Sequence, residues 1–439
     1  MKYDIIIAGA GPAGLMLASD LSKDFDVLVL EKGKAGTTSR AWYTFEDRIK
    51  ENKLWEAVVA KPSYLTFWMD EDSNITYKDK HALINENKVL EIFKERAESD
   101  GCLVRSFAPV SDFKYKDERI VVKTNKGYFE GNLLIDCMGT TSPIVLKRNL
   151  QNNYNIWVVY GTRMKETKFE NKDTIRFYKM NKKYQPKQDK SNYMFGVYPK
   201  SKSTGDVYLF RYYDKIKRPE ILKDIFNKSV KDICPIHRSN GILKGWIYNG
   251  ELKKYSLDRV LFAGDAGALT PPFIGMGFNE NLGKHKMISE RIRHLVSHSG
   301  KLDAPSLSDV LEDYRSGLQY TFHRLIQLYA FNYNTMQDWK EGTNVLIKAG
   351  KHFTRKWMRN ELDISLIKRG IRSFNDVIGM SNLVKKIPLN DFVHIIMSTA
   401  RITGTSLLKE AHLVFHKQYG DKSCELCKHC GCKFGKHQV

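Results

Sequence analysis

The sequence predicts an α/β protein: a nucleotide-binding domain wound around a parallel sheet, an inserted antiparallel sheet, and a helical C-terminal region. Three observations predict it. A strand, a glycine turn and a helix open the chain over residues 4–21 and lead to a second strand that ends in an acid. Between residues 155 and 250, four runs rich in β-branched and aromatic residues are separated by turn residues. Beyond residue 306, apolar residues return at spacings of three and four.

The first element is the apolar run Asp4–Ala8, followed by Gly9-Ala10-Gly11-Pro12-Ala13-Gly14, the helical pattern Leu15–Leu21 and the strand Val27–Leu30, which stops at Glu31. Gly9 permits the tight turn, Gly11 lets backbone approach a pyrophosphate, and Gly14 lets the helix pack close to the strand. Pro12 and Ala13 open the helix, whose N-terminal dipole favours phosphate. Glu31 is placed to accept hydrogen bonds from an adenosine ribose. A lone G-x-G-x-x-G is weak evidence, but here strand, helix and acid all stand where a Rossmann-type dinucleotide site needs them.

The chain has 439 residues, 42% of them hydrophobic, which suits two or three packed domains. Lys and Arg outnumber Asp and Glu by 71 to 50, a formal charge of +21. Such a balance fits an anionic partner or surface, or equally a lysine-rich but ordinary solvated surface. Met1-Lys2-Tyr3-Asp4 runs straight into the first strand without a signal peptide, and no apolar run reaches the length of a membrane span. The expected location is cytoplasmic. Cys102, Cys137 and Cys234 are isolated, so the cysteines do not form a disulfide framework.

A second motif lies at Arg259-Val260-Leu261-Phe262-Ala263-Gly264-Asp265-Ala266-Gly267, followed by Pro271-Pro272-Phe273-Ile274-Gly275-Met276-Gly277-Phe278-Asn279. These stretches resemble the Gly-Asp motif and the P-P-x-x-G-x-G-x-N stretch of the flavoprotein superfamily that contains p-hydroxybenzoate hydroxylase, geranylgeranyl reductases and FAD-dependent lycopene cyclases. The resemblance implies FAD rather than NAD. Gly264 and Asp265 would meet the ribityl side, and Pro272, Gly275, Gly277, Phe278 and Asn279 would pass beside the isoalloxazine, where glycines let backbone approach a flat ring. Leu133–Ser142 is similar to the family's D-x-x-G-x-x-S element, with Met138 where an aspartate often stands, so Asp136 reads as structural. Relatives often place an FAD-contacting arginine at the position of Arg40, although a solvated loop charge fits equally well. Near the helix Val89–Glu98, Asn87 and Lys88 stand where the family often has another arginine. The motifs give an FAD-binding domain of residues 1–150 and 251–300 around a substrate domain of residues 151–250.

The inserted segment offers Ile156–Gly161, Thr174–Tyr178, Tyr193–Tyr198 and Val207–Tyr213 as strands. In relatives such a sheet roofs the flavin, which makes Tyr160, Tyr193, Phe195 and Tyr198 candidate substrate contacts; an aromatic stripe of this kind is also what a core looks like. Tyr193, Phe195 and Tyr198-Pro199 loosely resemble the aromatic run of geranylgeranyl reductases, and Trp42 and Tyr160-Gly161 resemble lycopene cyclases. Yet Phe210 and Arg211 stand where those cyclases carry paired glutamates, and carbocation-forming cyclisation needs that proton donor. No W-x-W-x-I-P element points to a halogenase.

Residues 301–420 read as helical, with apolar spacing through Tyr320–Tyr329, Val345–Met358 and Phe392–Ala400 and one break at Pro388. Residues 331–439 carry 18 Lys and Arg against 9 Asp and Glu, and Lys351, Arg355, Lys356 and Arg359 flank Trp357. That arrangement suits peripheral contact with an anionic membrane, or a helical cap with a solvated basic face. In the tail, residues 421–439, Cys424, Cys427, Cys430 and Cys432 lie within nine residues and could hold zinc or an iron–sulfur cluster, or form a redox-sensitive tail.

The sequence therefore points to an FAD-dependent oxidoreductase acting on a hydrophobic, isoprenoid or lipid substrate by flavin hydride transfer to a C=C bond, with NAD(P)H or a ferredoxin-type protein as electron donor. The alternatives are an FAD-dependent monooxygenase, a lycopene-cyclase-like enzyme and a non-catalytic flavin-binding redox sensor. No residue declares itself as a catalytic acid or base. Nucleic-acid binding is not expected, because the basic region has no zinc-finger or helix-turn-helix spacing.

Overall fold

A computed structural model describes residues 2–187, 193–213, 215–235, 237–270, 276–311, 336–359 and 361–378. Residues 1–312 form one compact unit; most of the remainder forms a second.

The first unit is built on a mainly parallel sheet. Its strand order is Ser256–Leu257, Val260–Phe262, Gly127–Asp136, Lys2–Ala8, Val27–Leu30, Leu103–Arg105, and an antiparallel pair, Arg119–Thr124 and Val110–Lys116, continues from Gly127–Asp136. The central strands are apolar throughout because both faces are covered: Ile5, Ile6, Ile7, Leu133, Leu134 and Ile135 are all 0% exposed. The register pairs Ala8 with Asp136 and Asp136 with Phe262, so the three motif-bearing strands end at one level. Ligands of open α/β sheets bind at this carboxyl edge.

The second large sheet is mostly antiparallel, in the order Arg238–Leu252, Gln151–Lys165, Gly205–Tyr213, Tyr193–Pro199, Thr174–Lys179, Tyr64–Trp68, Asn74–Lys78. It is not confined to residues 151–250. The hairpin Tyr64–Lys78 joins it by a parallel pairing of Tyr64–Trp68 with Thr174–Tyr178, a long-range contact that local pattern does not encode. One face of this sheet packs on the helix Lys223–Ser229, with Ile156, Val158, Tyr160, Tyr193, Phe195, Val207, Leu209, Phe226 and Val230 in one core.

The described part of the second unit consists of the helices Met336–Ala349, Lys351–Met358 and Ile364–Ile378. Phe353 and Trp357 are each 1% exposed, and Lys356 and Arg359 pair with Glu361 at 2.8 and 3.1 Å. Trp357 is thus a core residue of this unit, and two of the four cations that flank it in sequence are paired. No helix among the described residues is long and apolar enough to cross a membrane. The helical patterns Tyr320–Tyr329 and Phe392–Ala400, Pro388 and the cysteine cluster lie outside the described residues.

Candidate functional site

The glycine turn has the geometry its sequence demands. Gly9 sits at φ +103°, and a Cβ there would lie 2.5 Å from the carbonyl oxygen of Cys137. A Cβ on Gly14 would lie 1.9 Å from the carbonyl oxygen of Gly9, so the helix Pro12–Leu21 can approach the strand only with glycine at that position. Gly11, by contrast, faces open space, with nothing within 4 Å of an added Cβ. Glu31 closes the turn from the end of its strand: its carboxylate accepts from the N–H of Ala10 at 2.7 Å and of Gly33 at 2.9 Å.

This turn forms one wall of a cleft of about 660 Å³, within the ordinary size range for a cofactor site. Gly9, Gly11, Pro12, Ala13, Glu31, Arg40, Asp265, Gly277 and Phe278 line it. Gly14 and Gly264 act from behind the wall. Gly264, at φ +58°, passes so close to the helix that a Cβ would come within 2.7 Å of the Ala13 methyl. Asn279 is a correction: it is buried, its amide oxygen accepts from the Thr44 hydroxyl at 2.9 Å, and Asn281 meets the cleft instead. Asn279 ties the helix Gly277–His294 to the strand Tyr43–Phe45. Pro272 and Gly275 lie outside the described residues.

Arg40 reaches across from the loop after Glu31 to Asp265, Nη1 to Oδ2 at 3.0 Å. Its side chain lies over Gly245, where a Cβ would sit 3.2 Å from Nε, and the loop is held there by the Lys244 N–H donating to the Ser39 carbonyl at 3.0 Å. Beneath the loop is a buried ionic group. Glu86, 0% exposed, pairs with Arg163 at 2.9 Å and Lys200 at 3.4 Å, and Lys200 also pairs with Asp206 at 2.8 Å. Glu86 accepts from the Trp42 N–H at 3.3 Å, and Arg163 donates to the Arg40 carbonyl at 3.3 Å. Burial raises the Glu86 pKa most, Lys200 lowers it, and nearby Asp206 raises it again; the net shift is upward. None of these four charges was legible as a group in the sequence.

Two further titratable groups lie at the carboxyl edge. Asp136 is buried; its carboxylate accepts from the Ser142 hydroxyl at 2.5 Å and the Met138 N–H at 3.0 Å. Burial outweighs both bonds and pushes its pKa up to about 6, which fits a structural role. Cys137 lines the cleft, but burial and the adjacent Asp136 raise its thiol well above the usual range, leaving it a poor nucleophile.

A second, smaller cavity of about 120 Å³ adjoins the cleft and shares Arg40, Trp42, Lys244–Trp246, Asp265, Gly277 and Phe278 with it. Its own wall is aromatic: Tyr43, Trp157, Phe177, Tyr198, Tyr208 and Phe210. Trp157 and Phe210 stack at 4.5 Å, and Trp42 stacks on Phe278 at 4.9 Å between the two spaces. Of the four predicted substrate contacts only Tyr198 lines this cavity. Tyr160, Tyr193 and Phe195 belong to the opposite face, packed on the Phe226 helix. Strand alternation is the physical reason, since odd and even positions of a strand cannot share a face. Phe210, where a cyclase would need an acid, is a cavity wall, and Asp265, the one carboxylate among the described residues that line the cavity, is paired with Arg40.

The open cradle at Gly11, the helix N-terminus beside it, Glu31 at the strand end and Asp265 opposite fit a dinucleotide of the FAD type. Residues 6–175 match the family model described as pyridine nucleotide-disulphide oxidoreductase. An uncharacterized protein of Methanosarcina barkeri is 27% identical over 158 residues, a match that covers 32% of this chain and 38% of that protein, well under half of each. Among solved structures, a geranylgeranyl bacteriochlorophyll reductase-like protein of Thermoplasma acidophilum superposes with a TM-score of 0.66 at 12% identity, covering 88% of this chain and 98% of that one. A flavin-dependent brominase gives 0.61 at 14% identity, covering 86% and 98%. A halogenase in complex with phloroglucinol and FAD gives 0.57 at 14% identity, covering 98% and 96%. The family match over residues 6–175 and the fold shared with these flavin-dependent proteins support an FAD-dependent oxidoreductase.

Proposed function

We propose that this protein reduces a C=C bond of a hydrophobic, isoprenoid or lipid-derived substrate held in the aromatic cavity beside the cofactor cleft. The observation that carries the reading is the shared wall: an apolar, ring-sized space opens beside Trp42, Phe278 and Asp265, the residues that also bound the cleft. When bound, FAD would supply the redox chemistry, a hydride equivalent to one carbon of the double bond, with the proton for the other carbon coming from solvent through the open cleft. The chain's own residues bind and orient. The turn Gly9–Gly14 would take the pyrophosphate, Glu31 the adenosine ribose and Asp265 the ribityl hydroxyls. Trp157, Phe177 and Phe210 would press the substrate toward the shared wall and exclude water.

Among the described residues of the cavity wall the carboxylate is Asp265, which is paired with Arg40, and this speaks against a polyene cyclase, because protonating an alkene needs a strong acid at the carbon. The same enclosed space would also suit a monooxygenase, and oxygen separates the two. Purified protein loaded with FAD and reduced with dithionite under anaerobic conditions is expected to saturate a prenyl substrate, with flavin reoxidation matching product one to one. Product that forms only after air is admitted, and that contains oxygen, would replace the reductase reading with the monooxygenase. Whether NADPH or a ferredoxin-type protein serves as donor follows from which of them bleaches the flavin bands. For membrane contact, the burial of Trp357 leaves only charge as support.

A further inference from the structure

Two helices reach the cofactor cleft with their N-terminal ends and meet again deeper in the fold, at His285. Gly11, Pro12 and Ala13 stand at the start of the helix Pro12–Leu21, Gly277, Phe278 and Asn281 at the start of the helix Gly277–His294, and all six line the cleft. His285, on the second helix about two turns beyond Gly277, is 3% exposed. Its Nδ1 lies 2.6 Å from Oδ2 of Asp20 on the first helix, and its Nε2 lies 2.7 Å from Oδ1 of Asn52. Asn52 ends the helix Glu46–Glu51, which follows directly on the strand Tyr43–Phe45.

The partners decide where the protons are. The Asn52 amide nitrogen donates to the carbonyls of Arg48 at 2.9 Å and Leu282 at 3.1 Å, which turns its oxygen toward His285 as an acceptor. Asp20 Oδ2 also accepts from the Ser289 hydroxyl at 3.2 Å. Both ring nitrogens therefore face acceptor oxygens. A neutral imidazole has one N–H and one lone pair, so it would satisfy one contact and set its lone pair against oxygen in the other. With Asp20 as a carboxylate, only a ring protonated on both nitrogens satisfies the two together.

The other charged groups around the ring are engaged elsewhere. Arg96, on the helix Glu86–Ser99, donates to the carbonyls of Asn52 at 3.0 Å and Lys53 at 3.1 Å; burial lowers its pKa, while Glu56 and Asp20 act in the opposite direction. Arg48, whose guanidinium lies over Gly283, pairs with Glu51 at 2.9 Å. On the helix of His285 itself, Lys286 donates to the Glu51 carbonyl at 3.3 Å, and Arg293 pairs with Asp24 at 2.7 Å and donates to the Asp20 carbonyl at 3.3 Å. These cations oppose a further positive charge, which leaves the Asp20 carboxylate as the group that holds it.

We propose that His285 is an imidazolium in the folded protein and a positioning residue for the cofactor: its ion pair with Asp20 and its bond to Asn52 set the spacing of the two helices whose first turns line the cleft. It acts through those helices and does not touch the cofactor. Loss of the proton leaves two acceptors facing each other at one of the contacts, and the helix Gly277–His294 withdraws from that partner. FAD affinity therefore weakens as pH rises and the ring loses its charge. This holds whether the substrate is reduced or oxygenated.

Nitrogen–proton correlation spectra of the full-length protein, labelled with nitrogen-15 in its histidines, read the protonation directly, and His285→Gln identifies the signal. Both ring nitrogens are expected to carry protons at pH 7; a neutral tautomer at that pH overturns the proposal. Asp20→Asn is the discriminating variant. An amide nitrogen in place of Oδ2 donates to Nδ1 of a neutral ring, so every contact survives without charge, and the signal is expected to change to that of the Nε2–H tautomer. If His285→Gln does not fold, this change identifies the signal instead. FAD titration of wild type and Asp20→Asn between pH 6 and pH 9 reads the consequence as a ratio of affinities, in which any titration of FAD itself cancels. The two are expected to bind alike at pH 6, and wild type about tenfold more weakly than the variant at pH 9, the worth of one buried hydrogen bond. A ratio that stays flat overturns the positioning role. Failure of reduced FAD to saturate a prenyl substrate would leave both readouts unchanged.

Discussion

Arg40 and Asp265 stand 225 positions apart in sequence and 3.0 Å apart in space, and their ion pair spans the wall common to the cofactor cleft and the aromatic cavity. Both side chains keep partial solvent contact, so the pair itself adds little to stability. Its use is positional: it holds a carboxylate where ribityl hydroxyls would bind. Asp265→Ala is expected to lower FAD affinity roughly 10- to 100-fold, the range for losing hydrogen bonds to a charged group, with the melting temperature nearly unchanged. Fluorescence titration of the apoprotein with FAD measures the first quantity. Undiminished affinity would remove Asp265 from the binding site.

The two glycines Gly11 and Gly14 separate binding from folding. An alanine methyl at Gly14 meets the Gly9 carbonyl oxygen at 1.9 Å, so Gly14→Ala must push the helix off the sheet and is expected to cost about 3 kcal/mol as well as FAD. At Gly11 the methyl meets no protein atom and projects into the space a pyrophosphate would take. Gly11→Ala is expected to fold with wild-type stability and to bind FAD at least about tenfold more weakly. Paired urea melts and FAD titrations distinguish the two; a Gly11→Ala protein that keeps full affinity would place the pyrophosphate elsewhere.

The carboxyl edge was legible because every required signal is local. Strand, glycine turn, helix and terminal acid lie within residues 2–31, and the Gly264-Asp265 motif follows a short apolar strand. The cavity was half legible. Tyr193, Phe195 and Tyr198 cannot all line it, because the two-residue period puts Tyr198 on one face of its strand and the other two on the opposite face. The same period applied to Ile156–Gly161 would have selected Trp157 and Val159, and applied to Val207–Tyr213 it would have selected Tyr208 and Phe210. Other features carried no local signal. The parallel join of Tyr64–Trp68 to Thr174–Tyr178 and the meeting of Glu86, Arg163, Lys200 and Asp206 depend on register between distant strands.

That buried ionic group has a consequence for the loop that carries Arg40 and Trp42. Glu86→Ala would strand Arg163 and Lys200 with one carboxylate between them and release the Trp42 N–H, at a cost of about 3 kcal/mol for breaking a buried pair. The loop would lose its anchor, so FAD affinity is expected to fall together with stability. Glu86→Gln keeps an acceptor for Trp42 and is expected to retain more of both. Thermal melts and FAD titration of the two variants test this, and equal behaviour of Ala and Gln would mean that charge, not the Trp42 bond, holds the loop.

Asp136 gives a pH dependence with a definite sign. Its carboxyl is pushed up to about 6 in the folded protein by burial, against ~3.9 in an unfolded chain. Between those two values the folded state binds the extra proton, so this group's contribution is fully present below pH ~4 and is lost as pH rises through about 6, on the order of 3 kcal/mol in all. Asp136→Asn keeps an acceptor for the Met138 N–H and a polar partner for Ser142 without a charge to bury. Above pH 7 the Asn variant is therefore expected to match or exceed wild type in urea, and below pH 5 its advantage should vanish. If its advantage instead grows as pH falls, Asp136 is held ionised by its two hydrogen bonds, and burial is the weaker effect at the carboxyl edge.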